Sequence, residues 1–313
     1  MTERSAVQAS APLPTPPLEL AEPYRRALVV ANPIAGRGLG ETVGRDVSAG
    51  LSRLGIATEL YLTRARGDAR ARLRGQREPV DLVVSVGGDG SLREVLDGLM
   101  DPATPVAMVP LGTANVLALD LGLERNVDRA LEIIAGRRLQ RLDVARVNGH
   151  LSFLVTGVGF DGAVVREVER ARTGPISKWS YSRAIVRALR GYRAPRLEVE
   201  LDGEPLDGRF GLVLIANIIH YGGSLKLSRH RRLDDGRFEA YLFPGADPRH
   251  LVALALRGFV SELPGGSCTM HLCSRAKVVS DDGPVPYQVD GDFRGETPVE
   301  FEVLRRQHRI LIP

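Results

Sequence analysis

Three loops in this 313-residue chain combine glycine with short polar side chains in a way suited to holding phosphate. Gly87-Gly88-Asp89-Gly90-Ser91 follows an apolar run and opens a helical one. Glycines let the backbone approach an anion closely and adopt positive φ. The unpaired N–H groups at the start of the next helix then point at phosphate oxygens. Pro110-Leu111-Gly112-Thr113-Ala114-Asn115 repeats the arrangement, with Thr113 and Asn115 able to cap a helix or bond a ligand. Asn32-Pro33-Ile34-Ala35-Gly36-Arg37-Gly38 does so a third time. Gly-Gly-Asp-Gly alone reads first as a tight turn; its two companions reverse that in favour of the anion site.

Moving phosphate to a hydroxyl also requires charge neutralisation and a proton acceptor. Asp290 and Asp292 flank Gly291. Extended, they project to the same side; turned, they converge on a cleft; an Asp-Gly pair is also an ordinary hairpin turn. Asp89 inside a phosphate loop is unfavourable unless a cation separates it from the anion, which assigns it to magnesium or to orienting substrate.

The elements that must position these residues fall into two grammars. Apolar runs at 27–31, 56–63, 80–86 and 106–109 alternate with helical stretches at 41–54, 68–75 and 91–99. Strands alternating with helices imply a mostly parallel, helix-covered sheet, with ligands at the carboxyl edge of its strands. After residue 136 short strands joined by Asn148-Gly149, Asp202-Gly203 and Asp207-Gly208 predict an antiparallel region. Its expected strands include 139–147, 151–156, 197–201, 209–215, 238–243, 268–273, 276–280 and 299–304, with helical inserts at 163–172, 180–192 and 248–260.

In this order the motifs resemble the diacylglycerol kinase catalytic superfamily, in particular bacterial soluble lipid kinases similar to sphingosine and ceramide kinases. The resemblance covers 26–313 and rests on Asn32-Pro33 with its glycine loop, on Gly87 to Ser91 with Glu94, and on Pro110 to Asn115. It continues through Gly157-Val158-Gly159-Phe160-Asp161, Leu233-Asp234-Asp235-Gly236 and Val289-Asp290-Gly291-Asp292. It implies an α/β plus β fold: a Rossmann-like nucleotide-binding domain and an antiparallel β-sandwich-like domain, with the active site in the cleft between them. The expected bounds are a disordered leader at 1–23, an ATP-binding domain at 24–138 and a lipid-substrate domain at 139–304, with 305–313 packing back on the first. ATP and Mg2+ are the implied cofactors. Asn32, Pro33, Gly36, Thr63, Gly87, Gly88, Asp89, Gly90, Ser91, Glu94, Gly112, Thr113 and Asn115 are implied to hold the nucleotide. Asp292 is implied as proton acceptor, with Asp290 beside it and Asp89 as the third catalytic carboxylate. Asp235, with the backbone carbonyls of Arg232 and Arg237, is implied to bind a structural magnesium. Two positions depart from the usual pattern: Ser91 replaces a threonine and keeps the hydroxyl, and Asp292 replaces a glutamate with one methylene less.

Composition bounds the rest. Apolar residues make 43% and charged residues 26%, and no run reaches 18 apolar residues. Two cysteines, Cys268 and Cys273, read as reduced thiols, and six histidines show no ligand spacing. The net charge of +4 suits nucleotides, anionic lipid surfaces or nucleic acid alike. Gly157 to Gly162 matches G-x-G-x-x-G, but no acidic ribose partner or parallel strand follows, so it reads as a turn lining the cleft. Basic residues from Arg166 to Arg196, interleaved with Trp179, Tyr181, Ile185, Val186, Leu189 and Tyr192, form either a membrane-facing amphipathic stretch or a solvated face over a buried stripe. The expected partner is a lipid reached by peripheral membrane contact from the cytoplasm, with no nucleic acid and with room for a homodimer. Rival readings are an NAD kinase-like or phosphofructokinase-like small-molecule kinase, and a nucleotide-binding regulator that has lost catalysis.

Overall fold

A computed structural model of the chain describes residues 19–171, 178–190, 192–221, 225–227, 231–245, 268–304 and 308–313. The helix expected at 248–260 and the leader up to residue 18 lie outside them. The first sheet runs, edge to edge, Glu19–Leu20, Arg138–Leu142, His308–Leu311, Pro105–Pro110, Leu82–Gly87, Arg26–Ala31 and Ala57–Leu62. Its strands from His308–Leu311 to Ala57–Leu62 are parallel. Leu82–Gly87 is buried at every position, as a strand covered on both faces requires, and its run is apolar but for the buried Ser85.

Two antiparallel sheets form the second architecture. One orders Glu204–Pro205, Leu197–Leu201, Arg275–Ser280, Val299–Val303, Ala145–Val147 and His150–Ser152. The other orders Thr269–Cys273, Phe238–Phe243, Leu212–Ala216, Val155–Gly159, Pro286–Val289 and Asp292–Glu296. Phe238 of one sheet meets Phe301 of the other edge to face at 5.1 Å. Along Leu212–Ala216 alternate side chains serve different cores: Val213 and Ile215 join the core between the sheets, while Leu212, Leu214 and Ala216 join the core continuous with the first sheet. That strand is therefore apolar throughout, and the two domains share packed surface.

Three expectations are corrected. Of the leader expected at 1–23, residues 19–23 are described and ordered: Glu19–Leu20 pairs with Arg138 and Leu139, and Glu19 forms ion pairs with Arg141 and Arg309. The single strand expected at 139–147 is two: Arg138–Leu142 belongs to the first sheet and Ala145–Val147 to a sandwich sheet. Likewise 151–156 divides between His150–Ser152 and Val155–Gly159, in different sheets. Among the described residues Cys268 and Cys273 are buried free thiols, and burial pushes each up to about 12.

Candidate active site

Four parallel strands deliver their loops to one edge. Asn32, Pro33 and Gly36 follow Arg26–Ala31; Thr63 follows Ala57–Leu62; Gly87 closes Leu82–Gly87, with Gly88 through Glu94 beyond it; Gly112, Thr113 and Asn115 follow Pro105–Pro110. Asn32 ties this edge together by donating its N–H to the Val86 carbonyl at 3.0 Å. Its side-chain oxygen accepts from Ile34 N at 3.3 Å. Thr63 returns its N–H to the Ala31 carbonyl at 2.9 Å.

The two glycine loops touch. A Cβ on Gly112 would lie 2.6 Å from the Gly88 Cα and 2.6 Å from Asn115 Oδ1, so a larger residue there forces the loops apart. Asn115 precedes the helix Val116–Leu121 with a left-handed φ of 49° and does not cap it. Asp89 caps it instead, its carboxylate accepting from Val116 N at 2.9 Å and Leu117 N at 3.4 Å. Asn115 Nδ2 donates to the Gly112 carbonyl at 2.9 Å, which leaves its buried Oδ1 with no partner beside the glycine cradle. An orphaned buried acceptor there suits a ligand bearing a hydroxyl or amino donor.

Asp89 opens the helix Asp89–Gly98. Burial pushes its carboxyl up to about 6, opposed by its two backbone donors and helped by the charges of Asp290 and Asp120. Glu94, one turn on, accepts from Gly67 N at 2.7 Å and so anchors the 63–67 loop to this helix.

Asp290 and Asp292 arrive on the turn between Pro286–Val289 and Asp292–Glu296, where Asp290 and Gly291 have φ of 49° and 82°, as a two-residue hairpin of the primed type demands. The turn sends the two carboxylates to different partners. Asp290 accepts from Ser152 Oγ, Phe153 N, Leu154 N and Val155 N at 3.0–3.1 Å. Burial pushes its carboxyl up, against the pull of Arg93 and those donors. With its lone pairs so engaged, it anchors the turn.

Asp292 instead meets three arginines. Arg66 Nη2 lies 2.5 Å from Oδ1; Arg294 Nη2 lies 3.0 Å from Oδ2; Arg93 Nη2 pairs with Oδ2 while its Nη1 donates to the Val289 carbonyl at 3.1 Å. Burial opposes ionisation of Asp292, but Arg93, then Arg66 and Arg294, outweigh it and hold the carboxyl below the usual range. The surplus positive field is felt nearby: burial and then Arg294 and Arg93 push His150 down. Arg66, Arg93 and Arg294 were not singled out from the sequence, because arginine is abundant in the chain, although Arg93 falls between Ser91 and Glu94 of the glycine-loop motif and Arg294 two residues after Asp292. Arg93 did carry one signal, a charge between Leu92 and Val95 on the buried side of its helix.

The structural-cation expectation at Asp235, Arg232 and Arg237 does not fit. Arg231 forks the Asp235 carboxylate at 2.9 and 2.9 Å, and the same guanidinium donates to the Arg237 carbonyl. Arg232 turns its side chain to Asp234 at 3.1 Å. Gly157 to Gly162 spans a strand paired antiparallel on both sides and the start of the helix Phe160–Arg170, which excludes a βαβ dinucleotide unit.

Residues 26–147 match the family model described as the diacylglycerol kinase catalytic domain. Residues 154–312 match the YegS C-terminal NAD kinase beta sandwich-like domain. The chain is 25% identical over 293 residues to a Bacillus subtilis diacylglycerol kinase, covering 92% of this chain and 97% of that one. It is 27% identical over 297 residues to a diacylglycerol kinase of Staphylococcus saprophyticus, covering 92% and 96%. In fold it is similar to a crystal structure from Bacillus anthracis, with a TM-score of 0.75 at 19% identity over 93% of this chain and 98% of that chain.

Proposed function

The chain belongs to the diacylglycerol kinase catalytic superfamily, and from that premise we propose that it is an ATP-dependent lipid kinase phosphorylating the hydroxyl of diacylglycerol or a related lipid alcohol. The observation that carries the proposal is the reach of Arg93, on the helix of the glycine loop, across to Asp292 of the late motif. That ion pair supports a reading in which the edge that would hold phosphate and the carboxylate that would take a proton act together.

The touching glycine loops and the orphaned Asn115 Oδ1 fit a nucleotide. Asn32, the loop through Gly36, Thr63, Gly87 to Glu94, Gly112 and Thr113 would line it. A magnesium ion, when bound with it, would neutralise phosphate charge, and Asp89 is the carboxylate of this edge suited to it. Arg66, Arg93 and Arg294 supply further neutralisation at the acceptor end. Held by three guanidiniums, the Asp292 carboxylate is a weak base; a phosphoryl group that shares those arginines loosens that hold and raises its basicity beside the acceptor hydroxyl. The exposed Arg183, Val186, Arg187 and Arg190 support peripheral contact with an anionic bilayer. No described helix is long and apolar enough to cross one.

Purified protein incubated with labelled ATP, magnesium and a panel of lipid alcohols should label a diacylglycerol-type lipid. Asp292→Asn should lose about 10²–10⁴-fold in turnover while nucleotide binding survives, and Asp292→Glu should keep turnover. Labelling of NAD with no lipid labelled sinks the proposal; full activity in Asp292→Asn sinks the role of Asp292.

A further inference from the structure

We infer that the turn at 231–237, where the resemblance implies a structural divalent cation, carries a cation built from the chain itself: the guanidinium of Arg231. Its side chain is 2% exposed. Nη1 and Nη2 bond both oxygens of Asp235 at 2.9 Å, Nη2 also donates to the Arg237 carbonyl, and Nε donates to Asn217 Oδ1 at 2.9 Å. Four bonds thus leave a five-donor group nearly saturated. Asp235 Oδ1 accepts a further bond from Arg237 N at 3.0 Å.

Two of the three groups implied to ligate a divalent ion, the Asp235 carboxylate and the Arg237 carbonyl, are therefore acceptors that Arg231 uses. Magnesium requires near-octahedral oxygen at about 2.0–2.1 Å and keeps several waters. A buried guanidinium within 3 Å of both ligands removes the space and adds repulsion. Among the described residues no three His, Cys, Asp or Glu side chains converge anywhere.

The turn is also fastened without metal. Asp143 accepts from Gly236 N at 2.6 Å through Oδ2, and its own N–H donates to the Leu233 carbonyl at 2.6 Å. Asp143 directly follows Arg138–Leu142 of the first sheet, so the turn is tied where the two domains join. Its folding is independent of divalent ions, whichever hydroxyl the enzyme phosphorylates.

Manganese(II) titrated into full-length, nucleotide-free protein, with bound metal read by electron paramagnetic resonance, tests the inference. Wild type and Asp235→Asn should bind the same amount, and chelator should leave the wild-type unfolding midpoint unmoved. A manganese site present in wild type and lost in Asp235→Asn overturns the inference. Arg231→Ser should gain one site and a midpoint that rises with manganese, both abolished by adding Asp235→Asn. Arg231→Lys keeps the positive charge and should gain none; a site gained by the lysine variant also overturns the inference.

Discussion

Asp89 and Asp292 are both largely buried carboxylates, yet they are pulled in opposite directions. Asp292 has three guanidiniums to offset desolvation; Asp89 has two backbone donors, and burial moves it from 3.8 to about 6. A carboxyl raised in the folded state stabilises most below its unfolded pKa and loses that contribution as pH rises through the folded value. Asp89→Asn cannot ionise, so its stability relative to wild type should climb between pH 4 and 7, by up to about 3 kcal/mol. Urea midpoints across that range check this, the slope being the readout since any lost cap is a constant offset; a difference flat with pH contradicts it. The motif residues were legible in the sequence because their spacing is unusual. Their division of labour was not: that Asp290 anchors a turn, Asp89 caps a helix and Glu94 holds a loop depends on which donors lie across the fold.

Among the elements, the glycine loops show how little room the site has. Gly112→Ala places a methyl group 2.6 Å from the Gly88 Cα, and the loops must separate. Nucleotide affinity should fall about tenfold or more, ~1.4 kcal/mol or above, as measured by titration with a fluorescent ATP analogue; unchanged affinity would remove these loops from the nucleotide site. The elements around them were readable because a parallel strand buried on both faces leaves a mostly apolar run, as in Leu82–Gly87 with Ser85 its one hydroxyl. The run at 139–147 misled for a related reason. Leu142, Val144, Ala145 and Val147 are all buried, so hydropathy shows no break where the chain leaves one sheet for another. For the basic helix Lys178–Leu189 the sequence left a membrane-facing stretch and a solvated face over a buried stripe both open; among its described side chains Ala184 packs on Val164 and Val168 while Arg183, Val186 and Arg187 are exposed.

For the whole molecule, the shared core and the return of the chain to its first sheet make the two domains one folding problem. Ile310 and Leu311 are fully buried in a strand that runs parallel to Pro105–Pro110 and antiparallel to Arg138–Leu142. Ile310→Ala should cost about 2–5 kcal/mol and lower a single unfolding transition in calorimetry. Two transitions, only one of them displaced, would show that the domains unfold separately. Fold class was legible from the alternation of strand grammars, whereas the sharing of Leu212–Ala216 between two cores is visible only in three dimensions. The position of His308–Leu311 also bears on synthesis. Pro105–Pro110 leaves the ribosome about 200 residues ahead of its partner strand, and closing that span costs on the order of 5 kcal/mol of chain entropy. Until His308–Leu311 emerges, a nascent chain exposes an unpaired, apolar sheet edge, the kind of surface that chaperones exist to cover.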